Sequence, residues 1–459
     1  MRQRGFAIVF LLGLLVLVLP SGARDNEPLS EYAARRARLL ERARSPVVLF
    51  GYLGREDVSP ETTFRQEENF YYLTGHQEPG AAVLLVPQTA AARAAKLPKD
   101  TLFLPPRDNR RERWEGIKLG PDDPDVREKT GFARVKPFSA LRADLERLLE
   151  IFPNLYTLFP RSGPNSAATH AGRWLAWLRT VAPAAGLHDV RGALGTMRQV
   201  KSESELKRLR VAIARSIEAH RAAMAALRPG MYEYEVAALM EYTFVRAGCE
   251  RPGYVPIVGS GFNSTVLHST TKRRPMQAGD VVVIDVGAEC AGYTADITRT
   301  LPVSGTFTPR QREIYQLVLG AQDKAIAAVK PGMTLARTGK NSLYRIAYDY
   351  INTYGQRRNG EPLGKYFIHG IGHHVGLAVH DAGDPARPLE PGMVITIEPG
   401  IYIPEENLGV RIEDIVRVTE DGAELLTSSL PRSAKEIERL MAEAPIQAGT
   451  RKTKSENRN

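Results

Sequence analysis

Cysteine is nearly missing from this chain of 459 residues, which has Cys249 and Cys290 and no other. That excludes a disulfide-stapled scaffold and a cysteine-ligated metal cluster, and the two thiols lack the spacing of a redox motif. One bridge between them is permitted in an exported chain, but the sequence does not give its geometry. Long apolar runs are missing beyond the N-terminal segment, which excludes a multi-span helical membrane protein. Acidic residues are the minority charge, 52 against 62 basic ones, for a formal net charge of +10. The basic surplus falls in separate groups, such as Arg35, Arg36 and Arg38, or Arg107, Arg110 and Arg111. None is interleaved with aromatics in a nucleic-acid module, so they read as a solvated basic face, and nucleic acid is not an expected partner.

The first residues are distinctive. Arg2 and Arg4 precede an apolar stretch from Ala7 to Leu19, and Pro20-Ser21-Gly22-Ala23 follows. A stretch this short, with small residues after it, predicts a secretory signal over residues 1–23, export to a periplasm or the medium, and no stable membrane insertion after cleavage. Residues 446–459 read as a basic, disordered tail. Between these ends the pattern is mixed α/β. Pro46–Gly51 and Ala81–Pro87 read as buried strands, Ala140–Leu149 and Ala171–Leu178 as helices. A helix start at Ser202, with Glu205 at capping-box spacing, follows Pro and Gly punctuation. These signs divide the chain into an α/β domain over 24–190 and a second domain over 191–445, with the boundary at 188–195.

The second domain is organised around Gly279–Thr300. Val281 to Ile284 form a β-branched run that ends in Asp285, and a second strand-like run from Tyr293 carries Asp296. A turn formed by Glu289–Gly292 would set Asp285 directly opposite Asp296. Like charges in that arrangement destabilise a hairpin unless one is protonated or a cation holds the pair.

This unit is repeated. Leu227-Arg228-Pro229-Gly230-Met231 and Val329-Lys330-Pro331-Gly332-Met333 each end a helix, and helices are predicted to follow at Glu235–Gly248 and Ser342–Tyr354. Gly279–Gly287 aligns with Gly392–Gly400, setting Asp285 over Glu398. Asp296 falls over Glu413 or its neighbour Asp414, with one residue of slack. Two such repeats about a pseudo-twofold axis would bring four acids to one centre. Four carboxylates do not all stay ionised in a cleft without cations, and two metal ions sharing some of them resolve the conflict.

Five of the nine histidines agree with this: His268, and His369, His373, His374 and His380 in HGIGHHVGLAVH. Gly370, Gly372 and Gly376 argue against a helical His pair. A glycine-rich run instead lets backbone approach ligands closely, with some rings on metal and others on substrate.

The set Asp285, Asp296, His373, Glu398 and Glu413, within IDVGAECAGYTADITRT, HGIGHHVGLAVH, TIEPGIY and GVRIEDIV, resembles the pita-bread metallopeptidases and most closely the aminopeptidase P family. ENFYYLTGHQEPGAAVLLVP and RDNRRERWEGIKLGP resemble that family's creatinase-like N-terminal domain. The resemblance implies an α/β (α+β) chain with a creatinase-like domain followed by a pseudo-twofold pita-bread catalytic domain. It implies two divalent metal ions, manganese with cobalt or zinc as other occupants. Asp285 would chelate one, His373 and Glu398 the other, and Asp296 and Glu413 would bridge both. His268 and His380 would contact substrate, with His369 a further active-site histidine and Arg411 an arginine beside the site. The implied activity is release of the first residue from peptides with proline second, with Glu398 moving the proton. The same ligands serve prolidase, an Xaa-Pro dipeptidase, and relatives without metal include creatinase and non-catalytic binding proteins. A homo-oligomer is a further expectation.

Overall fold

A computed structural model of the chain describes residues 27–54, 64–161, 168–356 and 360–443. The expected signal at 1–23 and tail at 446–459 lie outside the described residues. Among those described, no helix is long and apolar enough to cross a membrane.

The N-terminal half contains, in order, α1 (Leu29–Ala43), β1 (Val47–Phe50), α2 (Glu68–Thr74), β2 (Ala82–Leu85), α3 (Ala90–Ala94), β3 (Asp100–Leu104), α4 (Asn109–Glu115), α5 (Val126–Thr130), β4 (Val135–Pro137), α6 (Leu141–Leu149), β5 (Asn154–Thr157), α7 (His170–Val181) and β6 (Gly186–Asp189). Its strands form one mixed sheet in the order β4-β3-β2-β1-β5-β6. The unbroken apolar runs of β1 and β2 follow from burial on both faces, because successive side chains point opposite ways. Val48, Phe50 and Leu84 meet Leu141 and Leu145 of α6 and Leu178 of α7. Val47, Leu49 and Val83 face the other way, into a core shared with Leu39 of α1 and Phe70 of α2.

Next come α8 (Arg191–Gln199), over much of the expected boundary, then α9 (Glu203–Ala226), α10 (Glu233–Arg246), β7 (Arg251–Pro252), β8 (Ile257–Ser260), β9 (Val281–Asp285), β10 (Ala288–Cys290), β11 (Tyr293–Thr294) and β12 (Thr298–Pro302). The chain then forms α11 (Pro309–Ala328), α12 (Leu343–Tyr354), β13 (Val394–Ile397), β14 (Gly400–Ile403), β15 (Leu408–Arg411), β16 (Asp414–Val418), β17 (Ala423–Leu425) and α13 (Ala434–Glu443). The capping box of Ser202 and Glu205 opens α9 as expected. The second predicted helix begins two residues earlier than its apolar pattern suggested, at Glu233, where Tyr232 and Glu235 close a further capping box.

The duplication has a structural counterpart. Each half supplies a helix pair, α9 with α10 and α11 with α12. In both, the residue after proline takes a left-handed conformation, Gly230 at φ +90° and Gly332 at φ +88°, which a side chain would strain. β8 and β12 flank β9 in the first half. In the second, β16 pairs one edge of β13 and the histidine run takes the other, through Thr396 N–H to His373 O and Glu398 N–H to Ile371 O, both 2.8 Å. The histidine run is thus an extended edge segment, as its glycines indicated. A Cβ on Gly372 would stand 2.0 Å from Thr396 O, so only glycine permits this approach.

The expected register of the first hairpin is corrected by two residues. Cys290 pairs with Tyr293, leaving Ala291 and Gly292 as the turn, and Asp285 lies opposite Thr298. The tighter turn succeeds because Ala291 at φ +51° and Gly292 at φ +79° fit the primed geometry that matches strand twist. Asp285 and Asp296 therefore meet diagonally across the hairpin. The hairpin is also gripped from outside. Arg65 Nε donates to Glu289 Oε2 at 2.8 Å, and Tyr71 Oη to Ala291 O at 3.3 Å. Tyr293 Oη donates to Glu27 Oε1 at 2.8 Å, and that carboxylate pairs with the fully buried Arg35.

Cys249, just after α10, is bonded to Cys290 at a sequence separation of 41. Non-reducing peptide maps are expected to show this cross-link. Replacing both cysteines by alanine should cost about 4 kcal/mol by the chain-entropy relation for a loop of this length, measured by denaturant unfolding.

Candidate metal centre

Asp296 leaves the hairpin between β11 and β12, His373 lies on the edge segment, and Glu398 and Glu413 flank the β14–β15 excursion that follows β13. One ligand atom each of Asp296, His373 and Glu413 lies within 4.8 Å of the others. His373 Nε2 is 3.3 Å from Asp296 Oδ2, 3.5 Å from Glu398 Oε1 and 4.0 Å from Glu413 Oε1. Asp285 joins through Tyr254, whose hydroxyl lies 2.5 Å from Asp285 Oδ1 and 2.5 Å from Asp296 Oδ1. Arg411 Nη2 donates to Asp285 Oδ2 at 2.7 Å. The five residues singled out as ligands are thus brought together.

Their electrostatics are those of a crowded, dry acidic site. Burial, with Asp285 nearby, pushes Asp296 up to about 6. Burial raises Glu398 to about 7 against the pull of His373. Glu413 is driven well above the carboxylate range by burial and by Asp296, Glu398 and Asp285. Burial would also raise Asp285, but Arg411 and Tyr254 outweigh it and hold the carboxyl below its usual value. Burial opposes a charge on His373, yet the bond to Asp296 and the field of Glu398 lift it to about 9. Four carboxylates thus share one arginine, and Glu413 Oε1 is buried with no hydrogen-bond partner. Such an orphan is costly unless a cation meets it. An oxygen-rich set with one imidazole suits hard or borderline divalent ions, so the residues present fit the group.

The remaining site residues surround this cluster. The His380 ring meets that of His373 at 4.3 Å between centroids and 73° between planes. Burial and the nearby charges of His373 and His268 lower His380, while His268 itself stands on the exposed rim. His369 Nδ1 lies 2.8 Å from Gly370 O, which only accepts, so Nδ1 carries the proton. Its Nε2 then accepts from Tyr402 Oη at 2.8 Å, and Tyr402 accepts from Arg411 Nη1 at 2.9 Å. Burial and Arg411 depress His369 to about 3, keeping it neutral.

The residues missed were Tyr254, Thr298, Thr396 and Tyr402. Thr298 Oγ1 donates to Glu413 Oε2 at 2.7 Å, and Thr396 Oγ1 to Glu398 Oε1 at 3.3 Å. Strand alternation could have found Thr396, two residues before Glu398 on the same side. Tyr254 had no such signal, because the coil before β8 brings it in.

Fold and centre together define a metal-dependent hydrolase built on a duplicated hairpin. The profile described as Metallopeptidase family M24 matches residues 207–420, and that of the aminopeptidase P N-terminal domain matches residues 32–156. The Xaa-Pro aminopeptidase of Haemophilus influenzae is 35% identical over 90% of this chain and 97% of its own. The Pseudomonas aeruginosa aminopeptidase PepP has a similar structure, with TM-score 0.79 and 33% identity over 92% of this chain and 99% of its own. An Xaa-Pro dipeptidase of Pyrococcus furiosus is 42% identical, over 51% of this chain and 64% of its own. The chain belongs to metallopeptidase family M24, in its aminopeptidase P branch.

Two outcomes are expected. In metal-free protein, Asp296 and Glu398 keep protons that the unfolded chain loses above about pH 4, so stability falls as pH rises towards their values of about 6 and 7. His373, raised to about 9, adds a further fall above its ordinary value near 6.5. Asp285, held low, contributes throughout this range and leaves the slope unchanged. The Tm gap between manganese-loaded and chelator-treated protein should therefore widen from about pH 5 to about pH 8; a constant gap would count against this cluster as the metal site. Separately, Asp296→Asn should lose bound metal and nearly all peptidase activity, because one carboxylate faces the whole centre. Near-parent turnover with manganese would remove Asp296 from the ligand set.

Proposed function

We propose that the protein is an exported, manganese-dependent Xaa-Pro aminopeptidase that releases the first residue from peptides with proline in second position. The observation that carries this is the cluster of buried Asp296 and Glu413 with half-buried His373 and Glu398, and its unpartnered Glu413 oxygen. It sits on a chain whose second half matches metallopeptidase family M24 and whose first half matches the aminopeptidase P N-terminal domain. Asp296 and Glu413 would hold two ions jointly, Asp285 would complete one set, and His373 and Glu398 the other. Manganese is the preferred ion, since oxygen donors dominate; cobalt and zinc fit the same set. Export rests on residues 1–23, and the Cys249–Cys290 bond is in keeping with an oxidising compartment. Assembly into a homo-oligomer is part of the same reading.

Bound metal would supply a water acidic enough to give hydroxide near neutral pH and a Lewis acid for the scissile carbonyl. Glu398, whose Oε1 lies 3.5 Å from His373 Nε2, would accept a proton and return it to the departing proline nitrogen. His380 and His268, at the mouth, orient the peptide and steady charge on the carbonyl oxygen. Arg411 keeps Asp285 ionised, and through Tyr402 it fixes the neutral His369. Proline accounts for a dedicated enzyme, since it lacks an N–H and defeats the strand-like binding of general peptidases.

Dipeptidase activity is the competing reading, favoured by the 42% identity to an Xaa-Pro dipeptidase, but that match spans only half the chain. A relative aligned over 97% of its own length, and so sharing the N-terminal half as well, is named Xaa-Pro aminopeptidase. Specificity constants on Ala-Pro and Ala-Pro-Ala decide between them. The tripeptide is expected to be cleaved at least tenfold faster, on the order of 1.4 kcal/mol in transition-state binding; faster hydrolysis of the dipeptide would make the protein a prolidase. Metal analysis of manganese-loaded protein should find about two ions per chain, and none would favour the metal-free readings.

A further inference from the structure

His380 is carried by a segment without helix or strand, from Val375 to Gly383. Its ring is exposed towards the mouth and meets His373 edge-on, so the backbone around it sets where it points. Val375 N–H ties the start of that backbone to Val394 O at 3.1 Å, and Gly376 N–H closes on Ala378 O at 3.2 Å. Thr294 N–H donates to Gly376 O at 2.8 Å, and Arg65 Nη2 to Leu377 O at 2.6 Å. Asp381 N–H donates to His374 O at 2.8 Å.

The Asp381 side chain adds the strongest anchor. It is buried beside His380, accepts from Arg198 Nη2 on Oδ1 and from Lys201 Nζ on Oδ2 at 3.0 Å, and both cations are buried with it. Lys201 Nζ also donates to Arg198 O at 2.5 Å, which locks the two cations to each other. Arg198 then reaches the N-terminal half, donating from Nη1 to Asn69 Oδ1 at 2.8 Å on α2. Burial would raise Asp381, but Arg198 and Lys201 hold it at about 2, so the cluster stays ionised at any working pH.

A buried ionic cluster is a poor source of stability, because packed apolar groups of the same size do as well; what it adds is a fixed arrangement. Here the arrangement lies one residue from a histidine at the mouth of the metal centre. Asn69 and Arg198 also line the cleft that includes His380 and His170. We propose that Asn69, Arg198, Lys201 and Asp381 are positioning residues, a clamp by which the N-terminal half holds His380 over the metal centre. This rests on the peptidase reading above. It gives the N-terminal half a part in the rate of reaction, separate from any contact it makes with peptide.

The test uses full-length, manganese-loaded protein with Asn69→Ala and Asp381→Asn, each alone and combined with His380→Ala. Both single variants are expected to keep the parent's metal content. kcat on Ala-Pro-Ala should fall about threefold for Asn69→Ala and about tenfold for Asp381→Asn, with KM within about twofold of the parent. In the His380→Ala background, itself roughly tenfold slower or worse with metal retained, neither should cost more than about a further twofold, because the clamp acts through that ring. Hydrogen exchange at the amides of residues 377–381 should quicken in both, while β9 and β13 keep the parent's protection. Loss of metal, an unchanged kcat, a full additional loss without His380, or unchanged exchange would each overturn the clamp. Should Asp381→Asn fail to fold, Asn69→Ala, which removes two part-buried bonds, from Arg198 Nη1 and to Glu67 Oε1, decides alone. If the parent cleaves no Xaa-Pro peptide, the peptidase reading falls, and the exchange measurement still judges the clamp.

Discussion

Four carboxylates converging in a buried space, with one arginine among them, are the constraint to which the rest of this structure responds. Desolvation alone pushes each towards its neutral form, and mutual repulsion adds to the push. Only Asp285, beside Arg411, escapes it. The strands that carry Glu398 and Glu413 are braced from behind by groups that take no part in ligation. Arg299, fully buried, donates to Glu413 O at 2.7 Å and to Asp414 Oδ1 at 2.8 Å. Gln322 Nε2 donates to Ile397 O, Ile412 O and Asp414 Oδ2, each at 3.0 Å. The side-chain polar atoms of Arg299, Gln322 and Asp414 all have partners, whereas Glu413 Oε1 in front of them has none.

The N-terminal half does more than cap the catalytic half. Arg35 joins Glu27 to Glu205 of α9, at 3.7 Å from the latter, and Tyr293 of the hairpin that carries Asp285 and Asp296 shares Glu27. Arg65 reaches both that hairpin, at Glu289, and the histidine segment, at Leu377. Two stretches that supply ligands from distant parts of the chain are thereby referenced to one helix-rich surface. Breaking one partner of such a buried pair leaves the other charge stranded, so these contacts fix geometry more than they add stability.

The ligand set does not separate an aminopeptidase from a dipeptidase, because both need the same water and the same carbonyl. Discrimination belongs to the space beyond the proline, which must admit a continuing chain or close over a carboxylate. Beside His380 in this protein lies a cleft walled by both halves, with Arg161, His170, Arg191 and Asp384 among its lining residues. A cleft made between domains can be reshaped without disturbing the metals, which is a physical reason for one centre to serve several exopeptidases.

Much of this was legible in the amino-acid order. β1 and β2 were readable because a doubly covered strand leaves an unbroken apolar run, and α9 because its capping box and apolar period agree. The candidate metal residues were readable because acids at strand ends repeated with the Pro-Gly helix stops, and because glycines ruled out a helix under the histidines. What the order left undecided was set by contacts between distant segments. The hairpin register turned on whether Ala291 adopts a left-handed conformation, a local choice worth little until the disulfide and Tyr71 close over it. Tyr254 enters the centre from a coil with no periodicity to mark it. Asp381 reads as one more loop acid until Arg198 and Lys201 are seen folded onto it. Periodicity reports which face of an element is buried, but not which remote side chain will meet it there; that pairing was decided by the tertiary structure.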